Sequence, residues 1–168
     1  MNSQRPTAIL VYEAHRPGFS LSTDPTHLDI PVIHRFLSSE AYWSPGIPKE
    51  DVEQAIAHSL CFGVYADPIS DQPERQVGFA RVITDYTTYA YLCDVFILAE
   101  FRGHGLGKWL VSCIRAHPRL QGLRRWSLAT RDAHGLYAQF GFRPLSNPER
   151  MMQITVPEVY KRRADETT

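Results

Sequence analysis

The sequence predicts a mixed α/β domain built on one central sheet, and three observations carry that expectation. Apolar residues recur at helical spacing early in the chain, through Leu28, Val32, Ile33 and Phe36, then through Val52, Ala55, Ile56 and Leu60. The period then changes: "CFGVYAD" (61–67) and "RQVGFARVITD" (75–85) read as strands separated by the turn-rich "PISDQPE". Finally, "YAYLCDVFIL" (89–98) is almost continuously apolar, the mark of a central strand covered on both faces.

Taken in order, "GFSLSTD" (18–24) is the first expected strand and "THLDIPVIHRFLSSEAYW" (26–43) carries the first helix. "SPGIP" (44–48) is a turn cluster, and "PKEDVEQAIAHSL" (48–60) is a second helix whose acidic first turn suits the helix dipole. Three strands follow, and then a glycine-rich loop, "EFRGHGLGKW" (100–109). It opens an amphipathic helix, "GKWLVSCIRA", with Leu110, Val111 and Ile114 on its inner face. "LRRWSLAT" (123–130) reads as a strand, "RDAHGLYAQF" (131–140) as a short helix, and "GFRPL" (141–145) and "RMMQITV" (150–156) as two last strands. The order is β-α-α-β-β-β-α-β-α-β-β, and the polar end "KRRADETT" is expected to fray.

Composition narrows the function classes. A length of 168 residues fits one domain, and three Trp, eight Tyr and eight Phe give it a packed core. Eighteen basic residues balance eighteen acidic ones, so no general field draws the chain to nucleic acid or to an anionic membrane. No segment reaches the roughly 20 apolar residues of a membrane helix. The N-terminal apolar stretch, interrupted by Glu13, His15 and Arg16, makes a poor signal peptide. Cys61, Cys93 and Cys113 lie in apolar segments at irregular spacing, as reduced core residues of a cytoplasmic protein do. The seven histidines show no metal-ligand spacing, and no metal is expected.

The glycine loop holds the chemistry. Gly103, Gly105 and Gly107 stand where a strand hands over to a helix, although glycine weakens both. A P-loop would need Ser or Thr after Lys108 and glycine at Arg102, and the chain has Trp109 and Arg102 there. A dinucleotide fingerprint needs Gly-x-Gly-x-x-Gly, and this spacing differs. What remains is Arg-x-x-Gly-x-Gly, filled by Arg102, Gly105 and Gly107. A helix N-terminus offers free N–H groups to an anion, and glycines let that backbone approach a pyrophosphate.

At this loop the chain resembles the GNAT superfamily of acyl-CoA-dependent N-acyltransferases. Val95 and Ile97 in the preceding strand and "GLYAQFGF" (135–142) extend the likeness, as does the element order, over about residues 18–156. The resemblance implies one GNAT domain over 1–168, a central, mostly antiparallel sheet flanked by helices, and acetyl-CoA as cosubstrate. It assigns the pyrophosphate to Arg102, Gly103, His104, Gly105, Leu106, Gly107 and Lys108. The pantetheine arm and thioester oxygen fall to the backbone of Val95, Phe96 and Ile97, with Thr130 standing where the family often has asparagine. Another departure is Ala99, in place of a proline three residues before the arginine.

The same resemblance makes Tyr137 the general acid, since a phenol is protonated at neutral pH and can donate to a departing thiolate. For the base, Asp94, Asp85 or a water chain stay open; strict alternation would turn Asp94 to the face opposite Val95. Tyr42 and Trp43 on one wall and Tyr86, Tyr89 and Tyr91 of the hairpin "TDYTTYAY" on the other would suit a cationic amine, either a small molecule or a peptide. The expected activity is direct N-acetyl transfer from acetyl-CoA to a primary amine. The alternative is a non-catalytic acyl-CoA-binding regulatory module. The oligomeric state stays open, a homodimer being one arrangement the sequence allows.

Overall fold

A computed structural model of the chain describes residues 11–69 and 71–161. Six strands form one sheet in sequence order: β1 (Glu13–Arg16), β2 (Phe19–Ser22), β3 (Leu60–Ala66), β4 (Arg75–Thr84), β5 (Tyr89–Ile97) and β6 (Arg125–Ser127). Every neighbouring pair is antiparallel except β5 and β6, which run parallel. The helices are α1 (Ile30–Ser39), α2 (Lys49–Ala57), α3 (Leu106–Ala116) and α4 (His134–Ala138). None among the described residues is long and apolar enough to cross a membrane.

Alternation along the strands divides the core between the two faces of the sheet. Phe62, Val77, Ala80, Val82 and Leu92 pack with Leu106, Leu110, Val111 and Ile114 of α3. Cys61, Phe79 and Phe96 point the other way, against Ile33, Phe36 and Leu37 of α1 and Val52 and Ile56 of α2. Phe36 and Phe96 stack with ring centroids 3.9 Å apart. Each fully buried side chain of this size stabilises the fold by about 1.5–3 kcal/mol.

Two features of β5 shape the site. First, Phe79 pairs with Phe96 and Arg81 with Cys93, so β5 carries one residue more than β4 between those pairs. That is a β-bulge, and Asp94 within it takes φ +53°, a left-handed conformation that aspartate tolerates better than most residues. Second, β6 pairs only with Tyr89–Tyr91 at the start of β5. Beyond that point β5 has no strand on its β6 side among the described residues, and a cleft opens there.

Several expected elements are corrected. The first strand is preceded by a further one, β1, closed on β2 through Gly18 at φ +80°. Its exposed Glu13 and His15 alternate with half-buried residues, the habit of an edge strand. The first helix begins only at Ile30, because Asp29 caps the Val32 N–H at 3.0 Å and Pro31 suits the first turn. The strand expected at 123–130 shrinks to three residues, and the short helix to five. Residues 141–145 and 150–156 are not strands: Pro148–Arg150 is a 3-10 turn, and Met151–Val156 has no ladder partner. The frayed-end expectation for 161–168 falls, apart from Lys161, outside the described residues.

Candidate active site

The cleft beside β5 is a cavity of about 460 Å³. Its floor is Tyr91–Val95 of β5, one wall is Ala129–Ala133 with Tyr137 of α4, and its roof is Tyr42 and Trp43 from the α1–α2 connection. Strict alternation would have separated Asp94 from Val95, but the bulge brings both to this cavity. A second cavity of about 300 Å³ shares Trp43, Tyr91, Cys93 and Asp94 with the first. It continues to Arg81, Ile47, Phe79 and Tyr160, so Asp94 stands at the junction of two chambers.

Asp94 is held firmly. Its Oδ2 accepts from Arg81 Nε at 2.7 Å and its Oδ1 from Trp43 Nε1 at 3.0 Å. Both charged side chains are largely buried, and Arg81 also donates to Ser59 Oγ at 3.2 Å. Asp85 lies elsewhere: it accepts from the amides of Thr87, Thr88 and Tyr89 and from the Thr88 hydroxyl. Those bonds hold its carboxyl well below the usual range, with the Thr88 hydroxyl contributing most.

Tyr137 is 8% exposed, and its ring meets Phe142 edge-on at 5.9 Å. Burial, with smaller contributions from Tyr42 and Asp132, pushes its phenol up to about 12. Its hydroxyl has no hydrogen-bond partner among the described residues, leaving it free to donate into the cavity. Thr130 Oγ1 accepts the Ala133 N–H at 3.0 Å at the start of α4, so its own proton is free to be given to another group.

At the other end, Gly105 is the N-cap of α3 at φ +72°, with no side-chain cap and no acidic residue in the first turn. The first helical bond is Trp109 N–H to Gly105 C=O at 3.0 Å, leaving the Leu106, Gly107 and Lys108 amides without helical acceptors. Gly103 and Gly105 are required by backbone angle. Gly107 is not: a Cβ there would meet only Leu136 Cδ2, at 3.9 Å. Space in front of Gly107 is therefore kept open without a packing reason, as a cradle for an anion demands. Leu106 gives its side chain to the core, so only its backbone is available. Arg102 braces the loop by donating from Nε to Ile97 C=O at 3.0 Å, and His104 Nδ1 lies 3.1 Å from both Phe101 O and Arg102 O.

This geometry agrees with what the chain is similar to. A family model for the GNAT acetyltransferase domain matches residues 57–144, just over half of the chain. The chain belongs to the GNAT acetyltransferase family. Fold and relatives alike make it an acyltransferase. A crystal structure of a GNAT-family protein from Xanthomonas campestris, assigned as an acetyltransferase with no substrate named, is 53% identical. It superposes with a TM-score of 0.78, covering 87% of this chain and 99% of that one. A Gibberella zeae protein whose acetyltransferase activity is itself inferred is 35% identical over 140 residues, 74% of this chain and 78% of that one. The ribosomal-protein-S18-alanine N-acetyltransferase of Escherichia coli is similar in fold alone: 16% identity, TM-score 0.56, with 76% and 79% covered.

Within the GNAT frame, not every expected residue reaches the cleft. Tyr86 lies in the β4–β5 turn, lines a different cavity with His117 and Arg119, and carries the Arg119 guanidinium 3.7 Å over its ring. Tyr89 begins β5 opposite Arg125 and lines neither chamber at Asp94. Tyr91, two residues on, lines both. Phe96 turns its ring into the core under α1, and its carbonyl faces β4, 3.1 Å from where a Gly78 Cβ would stand, so it does not offer its backbone to the cleft as expected. Three arginines were missed. Arg16 of β1 reaches the glycine loop, with Nη1 3.7 Å from where a Gly105 Cβ would stand. Arg81 holds Asp94. Arg131 covers the Tyr42 ring at 3.9 Å while its N–H donates to the Tyr42 hydroxyl at 3.0 Å, closing the roof. No local signal marks these three, because each acts across a long sequence separation.

Proposed function

We propose that the chain moves the acetyl group of acetyl-CoA directly onto a primary amine. One observation carries this reading above the rest: a buried Tyr137 phenol with no hydrogen-bond partner among the described residues lines the cleft beside Val95 of β5, near a helix start with no side-chain cap. Gly107 of that start borders Leu136, the neighbour of Tyr137 in α4.

The residues fit acetyl-CoA. The free amides of Leu106, Gly107 and Lys108 suit a pyrophosphate, aided by Gly103, Gly105 and the positive charges of Arg16, Arg102 and Lys108. The backbone of Val95, on the side of β5 that has no strand beyond Tyr91 among the described residues, suits an amide-bearing arm, which it can pair as it would another strand. When bound, acetyl-CoA supplies an activated acyl group and a thiol to be released.

The chain's own residues supply the rest. Tyr137 holds a proton at its hydroxyl for the leaving sulfur, a role typically worth about 10²–10⁴-fold in rate. Asp94, at the junction of the chambers, draws and orients an ammonium with its remaining lone pairs, and the ammonium's proton leaves to water before attack. Trp43, Tyr42 and Tyr91 form aromatic walls that favour a cation over bulk anions. The second chamber, behind Asp94, accommodates the body of a small or peptidic acceptor.

The test is release of free thiol from acetyl-CoA across a panel of primary amines, with the acetylated product identified by mass. Release with at least one amine, lost in Tyr137→Phe, supports the reading. Tight acetyl-CoA binding with no acetylation of any amine would instead leave an acyl-CoA-binding module.

A further inference from the structure

Arg81 holds Asp94, yet only part of its guanidinium is used. Nε donates to Asp94 Oδ2 at 2.7 Å and Nη1 to Ser59 Oγ at 3.2 Å, while Nη2 has no hydrogen-bond partner among the described residues. A buried polar nitrogen cut off from both partner and water is costly. Among the described residues the one side-chain nitrogen or oxygen so placed is His117 Nε2, so Arg81 Nη2 is open to a void. Arg81 lines the second chamber and neither the first nor the cavity at Tyr86. The free side of the guanidinium therefore faces the second chamber.

The charges of that chamber are those of Arg81 and Asp94 alone; its other lining residues, among them Leu37, Ile47, Val52 and Phe79, carry none at neutral pH. The pair is neutral as a whole, and its side chains are only 16% and 11% exposed. A lone cation lodged beside it buries a net charge, which low-dielectric surroundings penalise. A lone carboxylate meets the same penalty and the repulsion of Asp94. A molecule with an ammonium and a carboxylate on one carbon brings no net charge. It can set its ammonium on the free lone pairs of Asp94 and its carboxylate on Arg81 Nη2, gaining charge-assisted hydrogen bonds at both ends. The chamber's roughly 300 Å³ equals the room of about ten water molecules at about 30 Å³ each, enough for one amino acid.

We propose that the acceptor is a free α-amino acid with an uncharged side chain, its amine at Asp94 and its carboxylate on Arg81 in the second chamber. The inference rests on the acetyl-transfer reading for the reaction, but not for the binding. In the reaction the ammonium loses one proton to water, the amine bonds to the acetyl carbon as the C–S bond breaks, and Tyr137 gives its proton to the sulfur. The second proton shed by the nitrogen returns to Tyr137 through solvent. The carboxylate is unchanged and serves to select and orient, which makes Arg81 a specificity-determining residue.

The test uses the full chain and compares each uncharged amino acid with its carboxamide and its decarboxylated amine. Thiol release from acetyl-CoA is measured, with rates referred to the free-amine fraction. At least one amino acid is expected to exceed both relatives about tenfold or more in kcat/KM, the scale of a hydrogen bond to a charged group. Arg81→Lys keeps a charge for Asp94 but loses the guanidinium fork, and there the ratio is expected to fall toward one, whatever the absolute rates. The double variant Arg81→Met, Asp94→Asn, which leaves no buried charge unpaired, gives the same reading if the single variant does not fold. Decarboxylated amines preferred by the parent, or a preference for the amino acid that survives these variants, overturns the proposal. Calorimetric titration of the same compounds into the chain with CoA, where no transfer can occur, separates the two readings. Binding of an amino acid over its amine, with no thiol release from any compound, supports the carboxylate site and overturns the transfer reading. Thiol release without preference for any amino acid does the reverse.

Discussion

Trp43 Nε1 donates to Asp94 Oδ1 at 3.0 Å, tying the connection between the two N-terminal helices to the bulge of the central strand. One oxygen of the carboxylate thus fixes the roof, while the other holds Arg81. Asp94→Asn keeps a residue that tolerates φ +53° but removes the charge facing a largely buried guanidinium. The expected cost is about 1–3 kcal/mol, read as a lower urea midpoint with unchanged slope. The companion change Arg81→Met in the same background should restore part of it. A cycle without coupling would deny that the pair acts as a unit.

Acetyl-CoA should stabilise the folded chain. At ligand about 100-fold above its Kd the gain is about 2.7 kcal/mol, visible as a rise in Tm. No shift at millimolar acetyl-CoA would remove the helix start at Gly105 as a phosphate site.

Gly107→Ala separates the needs of the ligand from those of the fold. The backbone is helical and a Cβ there meets nothing closer than 3.9 Å, so the variant should be as stable as the parent, or up to about 1 kcal/mol more so. Its acetyl-CoA affinity should fall about tenfold or more, equivalent to about 1.4 kcal/mol. Titration calorimetry giving parental affinity would show that the open space before Gly107 is not used.

Tyr137→Phe should leave acetyl-CoA affinity intact and lower kcat by about 10²–10⁴-fold. Burial raises the phenol from its ordinary value of 10.0 to about 12. The phenol therefore stays protonated through the range where a free tyrosine ionises, and the parent-to-variant rate ratio should stay flat from neutrality to pH 10. A ratio that collapses around pH 10 would place the hydroxyl in water. The stability contribution has the same sign: it is full below the unfolded value of 10.0 and is lost as pH rises toward 12.

Cys93 lines both chambers, yet burial pushes its thiol, like that of Cys61, up to about 12. Alkylation at mild alkaline pH should therefore be slow in the folded chain and become fast on unfolding. Rapid native labelling at Cys93 would point to a thiolate-stabilising environment that the present packing lacks.

The glycine loop and the order of the central elements are legible in the sequence. Strands at 61–67, 75–85 and 89–98 announce themselves because apolar period and length are local quantities, set by which side chains must leave water. The loop at Gly103–Gly107 is legible for a similar reason: backbone freedom and exposed amides at a helix start belong to a few adjacent residues. Tyr137 was found only through the spacing of a family pattern. The bulge at Asp94 is different in kind. It is a mismatch of register between β4 and β5, and neither strand encodes it alone. The same holds for Arg16 at the loop, Arg81 on Asp94 and Arg131 on Tyr42, whose partners are brought near only when the sheet and its lobes pack. The resemblance assigns Tyr86, Tyr89 and Tyr91 to one acceptor wall, but the turn geometry carries Tyr86 to another cavity and leaves Tyr89 outside the cleft, so of the three Tyr91 alone lines it. Residues 151–156 have the pattern of a strand and no ladder, because a strand exists only where a second backbone satisfies its hydrogen bonds, and pattern cannot say whose backbone that is.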